Sequence, residues 1–297
     1  MRHWRQPLGP WGEPMSTGTL KGTLAAELTP QNYRYLQDHL YQESGIVLDA
    51  NKHYLVESRL IPVLRGRGLS SLNELCAFLQ KNNRDSLHRE VVEAMTTNET
   101  SFFRDSALWQ ELRNSIMPEL IAQRKDVRRL RFWSAASSGG QEAYSLSMLL
   151  QEMGLGGWDI KILGTDLSRP VLEKATDARY SQLEVGRGLP TPLLLKYFER
   201  EGLQWRVKQE VRGRVQFQPL DLRQPLRTFG PFDVVFCRNV LIYFDVLTKQ
   251  KILTEIRGTI FRGGHMVLGS AETTLNLNLD NSFERRQIGQ ATFYRMQ

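Results

Sequence analysis

The sequence predicts an α/β protein: an open, mostly parallel sheet closed by an antiparallel hairpin, with an all-helical unit ahead of it and a small β-containing insertion inside it. Three observations predict this. From Leu28 to about Met95, apolar residues recur at helical spacing and no strand pattern interrupts them. After Asn98, short apolar runs alternate with helical segments, as parallel strands with helices on both faces require. The chain then ends in two strand-like runs, Phe283–Ile288 and Ala291–Met296, separated by Gly289 and Gln290, which is a hairpin signal.

Taken in order, residues 1–22 are rich in Gly, Pro, Ser and Thr with isolated Trp4 and Trp11, and read as a flexible extension. Met15 is a second candidate start. The helical unit covers 23–95. Thr29 and Pro30 stand as N-cap and first helical residue, and Tyr33, Leu36, His39 and Leu40 follow on one face. A second helix runs from about Lys52 to Arg65, ended by Gly66 and Gly68; a third starts near Ser71, and a fourth covers about Ser86 to Met95. Residues 96–105 join this unit to the second, 106–297. There the strands are Leu130–Ala135, Ile160–Asp166, Val215–Leu220, Phe232–Cys237 and His265–Gly269. Between Asp166 and Val215 the chain is too long for one crossover helix. Leu172–Ala178 and Leu193–Glu199 look helical and Leu203–Val207 looks like a strand, so an inserted β-subdomain is expected at about 183–214.

Composition narrows the class. The 297 residues are 41% hydrophobic and 24% charged, ordinary for a globular protein. No apolar run is long enough to span a membrane, and the N-terminus lacks the apolar core of a secretory signal. Cys76 and Cys237 are too few for a disulfide framework and lack metal-ligand spacing, so no metal site is expected and a reducing cytoplasm fits. The net charge of +7 favours an acidic partner, and on its own leans toward nucleic acid.

Four segments carry chemistry. Phe132 to Glu142 (FWSAASSGGQE) is a strand, a loop of small residues and a helix start, a place where backbone can approach a ligand closely. It does not obey the dinucleotide pattern, and on its own it is as consistent with simple helix-on-sheet packing. Asp166 ends a strand, where a carboxylate can accept ribose hydroxyls; the competing reading is a helix N-cap. Phe236 to Asp245 (FCRNVLIYFD) puts polar Arg238 and Asn239 at the carboxyl end of a buried strand, with Tyr243 and Phe244 as an aromatic wall; the competing reading makes Phe244 core and Arg238 a solvated loop charge. Thr96 to Asp105 (TTNETSFFRD) is the hinge between the units, unusually dense in polar groups, paired Phe and Arg for a passive linker, which is the competing reading.

Together TTNETSFFRD, WSAASSGGQEAYS, GTDLS and FCRNVLIYFD resemble the CheR family of bacterial chemotaxis receptor methyltransferases, in the family's order and spacing, over about residues 28–297. The resemblance implies a class I methyltransferase fold, whose parallel sheet ends in such a hairpin, and S-adenosylmethionine as cofactor, leaving S-adenosylhomocysteine. It implies that Asn98, Thr100 and Arg104 meet the cofactor at the active-site entrance, that Glu142 contacts it and that Asp166 holds the ribose. Asp221 and Leu222 stand where the family flanks the adenine with Asn-Leu. Arg238 and Asn239 would line the pocket, and Tyr243 the transfer site. Ala143 replaces a usual Pro. The helix around Tyr54–Leu60 resembles the family's basic helix, with Arg59, Arg65 and Arg67 as receptor contacts; a solvated helix face is the alternative. Family members tethered to a receptor pentapeptide carry a Gly-Xaa-Gly loop that Tyr197–Trp205 lacks, which implies that no pentapeptide tether is required.

The reaction so implied is methyl-ester formation on glutamate side chains of the cytoplasmic helical domain of chemoreceptors, for chemotactic adaptation. A glutamate with a pKa of about 4.3 is ionised at neutral pH, so no general base is needed. Arg104 and Tyr243 are the expected catalytic pair, orienting that carboxylate. The protein is then cytoplasmic, transiently at receptor arrays, with neither nucleic-acid binding nor membrane insertion. The rival classes are a methyltransferase for nucleic acid or a small molecule, and a non-catalytic module that senses S-adenosylmethionine.

Overall fold

The computed structural model describes residues 28–297 apart from 82–85, 227, 276, 278 and 280–282; the extension expected over 1–22, with Met15, lies outside the described residues. The helical unit consists of α1 (Pro30–Ser44), α2 (His53–Arg67), α3 (Leu72–Lys81) and α4 (Ser86–Met95). Thr29 caps α1, its hydroxyl accepting from the Asn32 amide at 3.3 Å, with Pro30 at the first turn. Gly66 does not end α2 as expected. The helix runs on to Arg67, and Gly68 supplies the left-handed cap. The inward faces of the four helices make one core, in which Leu36, Leu40, Leu60 and Leu75 are fully buried.

A continuous helical segment follows residues 96–105: α5 (Ser106–Glu111), one π-helical turn (Leu112–Ile116) and α6 (Met117–Arg124). Next come β1 (Arg129–Ala135), α7 (Gln141–Glu152), β2 (Asp159–Asp166), α8 (Arg169–Asp177), β3 (Arg179–Ser181), α9 (Gln182–Gly186) and α10 (Thr191–Tyr197). The remainder is β4 (Phe198–Glu201), β5 (Gln204–Val207), α11 (Gln209–Arg212), β6 (Val215–Pro219), β7 (Phe232–Cys237), α12 (Val246–Arg257), β8 (Ile260–Leu268), β9 (Phe283–Ile288) and β10 (Ala291–Met296).

Seven strands form the main sheet in the order β6-β2-β1-β7-β8-β10-β9. The first five are parallel, and β10 and β9 add the antiparallel hairpin. Strand alternation sorts the core: Phe132, Val234 and Phe236 pack on one face with α5 to α7, whereas Trp133, Val235 and Cys237 pack on the other with α12. β8 begins at Ile260 and not at His265. A register irregularity between Phe232 and Val234 lets the strand run through Arg262, Gly263 and Gly264, ahead of the expected start.

The insertion is a three-stranded antiparallel sheet in the order β3-β5-β4. It takes in Arg179–Ser181, ahead of the expected start at 183. The helix expected over Leu193–Glu199 stops at Tyr197, because Phe198 already pairs with Val207. No helix among the described residues is long and apolar enough to cross a membrane.

His265 on β8 is fully buried, beside Phe293, with both ring nitrogens unpartnered among the described residues. Burial pushes its pKa down to about 4, aided by Arg286 of β9 and Arg295 of β10 and opposed by Glu119 of α6. Between about pH 6.5 and 4 the unfolded chain therefore binds a proton that the native state refuses. This part of the stability is intact above pH 6.5 and is lost as the pH falls toward 4. Urea unfolding at pH 7.5 and 4.5 should show His265→Leu losing about 2 to 3 kcal/mol less over that interval than the parent chain.

Candidate active site

Strand order reverses between β1 and β7, and this is where an open α/β sheet leaves a crevice at the carboxyl ends of its strands. A cleft opens there, and every residue expected to meet the cofactor lines it, as does Tyr243. The helical unit contributes Ser44 and Ile46 to its wall, so both units shape the cleft.

The loop after β1 is bent through left-handed residues Ala136, Ser138 and Gly140. At Gly140 a side chain would also come within 3.0 Å of Ala175 and Phe217, so the loop can pass close to the sheet only with glycine there. Asp166, at the end of β2, accepts from the Ser138 amide at 2.9 Å and the Ser168 amide at 3.0 Å. It is not the helix cap, since Ser168 holds that position in α8. Burial raises its pKa, and the same amides oppose the rise.

Arg238, immediately after β7, is buried and forked. One guanidinium nitrogen meets Glu142 at 2.7 Å, and the other meets Asp105 at 2.6 Å and the Arg104 carbonyl oxygen at 3.1 Å. Glu142 also accepts from the Ser134 hydroxyl at 2.7 Å. One side chain thus ties the linker, the first turn of α7 and the end of β7 together.

The hinge is built rather than slack. Phe102 is fully buried among Tyr180 and Phe198 of the inserted sheet, and Phe103 packs edge-on against Trp109. Trp109 donates to the Arg104 carbonyl oxygen at 2.9 Å, while the Arg104 guanidinium reaches the Glu99 carbonyl oxygen at 3.2 Å. The Ser138 hydroxyl donates to the Asn98 carbonyl oxygen at 2.8 Å, joining hinge to loop.

Asp221 differs from the Asn expected there, and its partner explains why. Its carboxylate is held by the Arg223 amide at 2.9 Å and by the Arg223 guanidinium at 2.7 to 3.1 Å. The same guanidinium donates to the carbonyl oxygens of Gln42 at 3.0 Å and Glu43 at 2.5 Å, at the C-terminal end of α1, where a cation is favoured. A second clasp runs from the Tyr41 hydroxyl to Asp245 at 2.7 Å, and the Val47 amide donates to the Tyr243 carbonyl oxygen at 2.9 Å.

Of the three basic residues singled out on α2, two have internal partners. Arg59 donates to the Met95 carbonyl oxygen at 2.6 Å and to Thr97 at 2.8 Å, bracing the hinge. Arg67 pairs with Glu90 and donates to Ser86 at 2.6 Å. Arg65 is exposed. Sequence reading missed Asp105, Arg223 and Glu272, whose partners are close in space but far along the chain. Both cysteines are buried and free; burial drives the Cys76 thiol up to about 12 and that of Cys237 upward as well, so neither is a nucleophile.

The cleft suits a nucleoside with a charged tail. The Ser137 hydroxyl is buried on its lining without a partner among the described residues, Asp166 presents a carboxylate, and Leu222, Val240 and Phe244 offer an apolar wall to a flat base. Comparison with known proteins agrees. The family model described as "CheR methyltransferase, SAM binding domain" matches residues 98–290, and "CheR methyltransferase, all-alpha domain" matches 31–96. Chemotaxis protein methyltransferase 1 of Pseudomonas aeruginosa is 43% identical over 86% of this chain and 94% of its own length. Chemotaxis protein methyltransferase Cher2 of Pseudomonas putida is 40% identical over 87% and 92%, and chemotaxis protein methyltransferase 1 of Vibrio cholerae 36% over 92% and 99%. The cleft, the fold and these relatives together show that the chain belongs to the CheR family of S-adenosylmethionine-dependent chemotaxis methyltransferases.

Proposed function

We propose that the chain is a protein-glutamate O-methyltransferase that esterifies glutamate side chains on the cytoplasmic helical domain of chemoreceptors. The observation that carries this reading is the joint placement of Arg104 and Tyr243 on the lining of the cleft that also holds Asp166 and Glu142. When bound, S-adenosylmethionine supplies an electrophilic methyl on a sulfonium. The protein's part is to hold and align. Asp166 accepts from the ribose, Asn98, Thr100, Glu142, Arg238 and Asn239 shape the rest of the pocket, and Leu222 with Asp221 borders the base. Arg104 and Tyr243 orient the acceptor carboxylate by a charge-assisted hydrogen bond and a phenol donor. Because that carboxylate is already ionised, alignment and exclusion of water are enough, without a general base.

The division into a helical unit (23–95), a linker lining the site (96–105) and a transferase unit (106–297) belongs to the same reading. Arg65, exposed like Arg67 but not engaged with Glu90 and Ser86 as Arg67 is, is the foremost receptor contact of Arg59, Arg65 and Arg67, and the protein visits receptor arrays only transiently. Pentapeptide independence is supported by the β4–β5 turn, where only Gly202 and Leu203 separate the strands. Calorimetry with a receptor C-terminal pentapeptide should detect no binding, and tight binding would refute this part.

The test of the whole reading is transfer of labelled methyl from S-adenosylmethionine to chemoreceptor-containing membranes. Base-labile label released as methanol is expected; label that resists base would rule out a carboxyl ester. Asp166→Ala should weaken S-adenosylhomocysteine binding about 10- to 100-fold, the worth of one hydrogen bond to a charged group, measured by calorimetry.

A further inference from the structure

The segment from Arg238 to Tyr243 carries several groups of the site, yet its backbone is neither helix nor strand at Asn239 and Val240. Asn239 sits at φ 58°, a left-handed conformation that Asn tolerates better than other non-glycine residues but that still needs local support. That support is one carboxylate. Glu272, beyond the end of β8, accepts four backbone amides: Val240 at 2.9 Å and Leu241 at 2.8 Å on one oxygen, Asn239 at 2.8 Å and Gly269 at 2.7 Å on the other. A side chain at Gly269 would come within 2.7 Å of that carboxylate and 2.8 Å of the Asn239 amide group, so the strand end is kept bare to admit it.

We propose that Glu272 is a positioning residue for methyl transfer. It fixes the backbone of Asn239–Leu241, and through the following turn the place of Tyr243, without itself lining the cofactor cleft. The proposal rests on the reading of Tyr243 as part of the transfer site. It explains why an anion is required at 272. Four N–H groups converge there, and a carboxylate, with acceptor lone pairs on both oxygens, satisfies all of them. An amide has one acceptor oxygen. Whichever way Gln is turned, two of the four N–H groups face its NH2.

The test compares the full chain with Glu272→Gln and Gly269→Ala, the second crowding the same carboxylate and its Asn239 partner. Turnover is expected to fall about 10- to 100-fold, as misplacement by a fraction of an ångström to an ångström does. S-adenosylhomocysteine affinity should fall too, because Asn239 and Val240 line the cofactor cleft, but by less than turnover does, and hydrogen exchange at Asn239, Val240 and Leu241 should accelerate at least about tenfold. The double variant should be no worse than about threefold below the poorer single one, because both remove one interaction. Turnover within threefold of the parent, wild-type exchange at those three amides, additive losses in the double variant, or cofactor affinity falling in step with turnover would each overturn the proposal. If Glu272→Gln does not fold, Gly269→Ala alone decides by the same measures. Whether chemoreceptor glutamates are the acceptor is read from the unmutated enzyme, so failure of that reading is visible before any variant is assayed.

Discussion

Arg238→Met is expected to abolish detectable methyl transfer and to lower the free energy of unfolding by about 3 to 5 kcal/mol, the usual cost of removing one partner from a buried ion pair. The Arg238 side chain is 2% exposed, and its partners Glu142 and Asp105 are 13% and 41% exposed. Asp105 can turn to water once the arginine is gone. Glu142 has less room to do so: it is 13% exposed at the cleft lining and keeps only the Ser134 hydroxyl. Most of the cost therefore falls on Glu142, and the double variant Glu142→Gln with Arg238→Met should recover much of the lost stability. Activity should not return with it, because the guanidinium also fixes the Arg104 carbonyl oxygen and so the hinge. Arg238→Lys keeps the charge but not the fork, and should fold while turning over slowly. Urea midpoints and labelled-methyl transfer on the same four proteins separate the two effects. Stability and activity returning together in the double variant would mean that Arg238 matters to the fold alone.

How much of this is legible in the sequence follows from the range of each interaction. The lining of the cleft is readable because it comes from short contiguous segments at strand ends, each with its own local signature: small residues after β1, a carboxylate after β2, a polar pair after β7. Helix starts are readable for the same reason, since Thr29 and Pro30 act within one turn of themselves. What holds the cleft in place is not readable. Arg223 reaches carbonyl groups 180 positions away, Arg238 reaches Asp105 across 133, and Glu272 reaches Asn239 across 33. No periodicity records such pairs. The boundary misreadings have the same origin. The expected start of β8 at His265 is late because β7 pairs with Ile260 as well as with His265, and so carries the strand through the polar Arg262 and the two glycines between them. Arg59 and Arg67 look like part of a solvated basic face because their partners, Met95, Thr97, Ser86 and Glu90, belong to a different helix and to the hinge.

Arg104→Ala is expected to cut turnover about 10²- to 10³-fold while changing S-adenosylhomocysteine affinity by less than about fivefold, the pattern of a group that acts on the reacting carboxylate more than on the cofactor. The geometry around it makes the split possible. The main chain at 104 is fixed from two directions, by the Trp109 indole and the Arg238 guanidinium on its carbonyl oxygen, with Phe102 and Phe103 buried or packed just before it. Truncating the side chain leaves all of these contacts in place, so the cleft should keep its shape. Among the described residues the guanidinium's hydrogen-bond partner is the Glu99 carbonyl oxygen alone, which leaves most of its fork available on the cleft lining. Arg104→Lys should restore part of the rate, since a point charge attracts a carboxylate without aligning both oxygens. In parent and variant alike the rate should be flat between about pH 6 and 8 if the acceptor is the proposed glutamate, whose ordinary pKa of about 4.3 leaves it ionised throughout. A loss of cofactor affinity equal to the loss of turnover would make Arg104 a cofactor anchor. Unchanged turnover would remove it from the reaction and leave Tyr243 as the group that orients the acceptor.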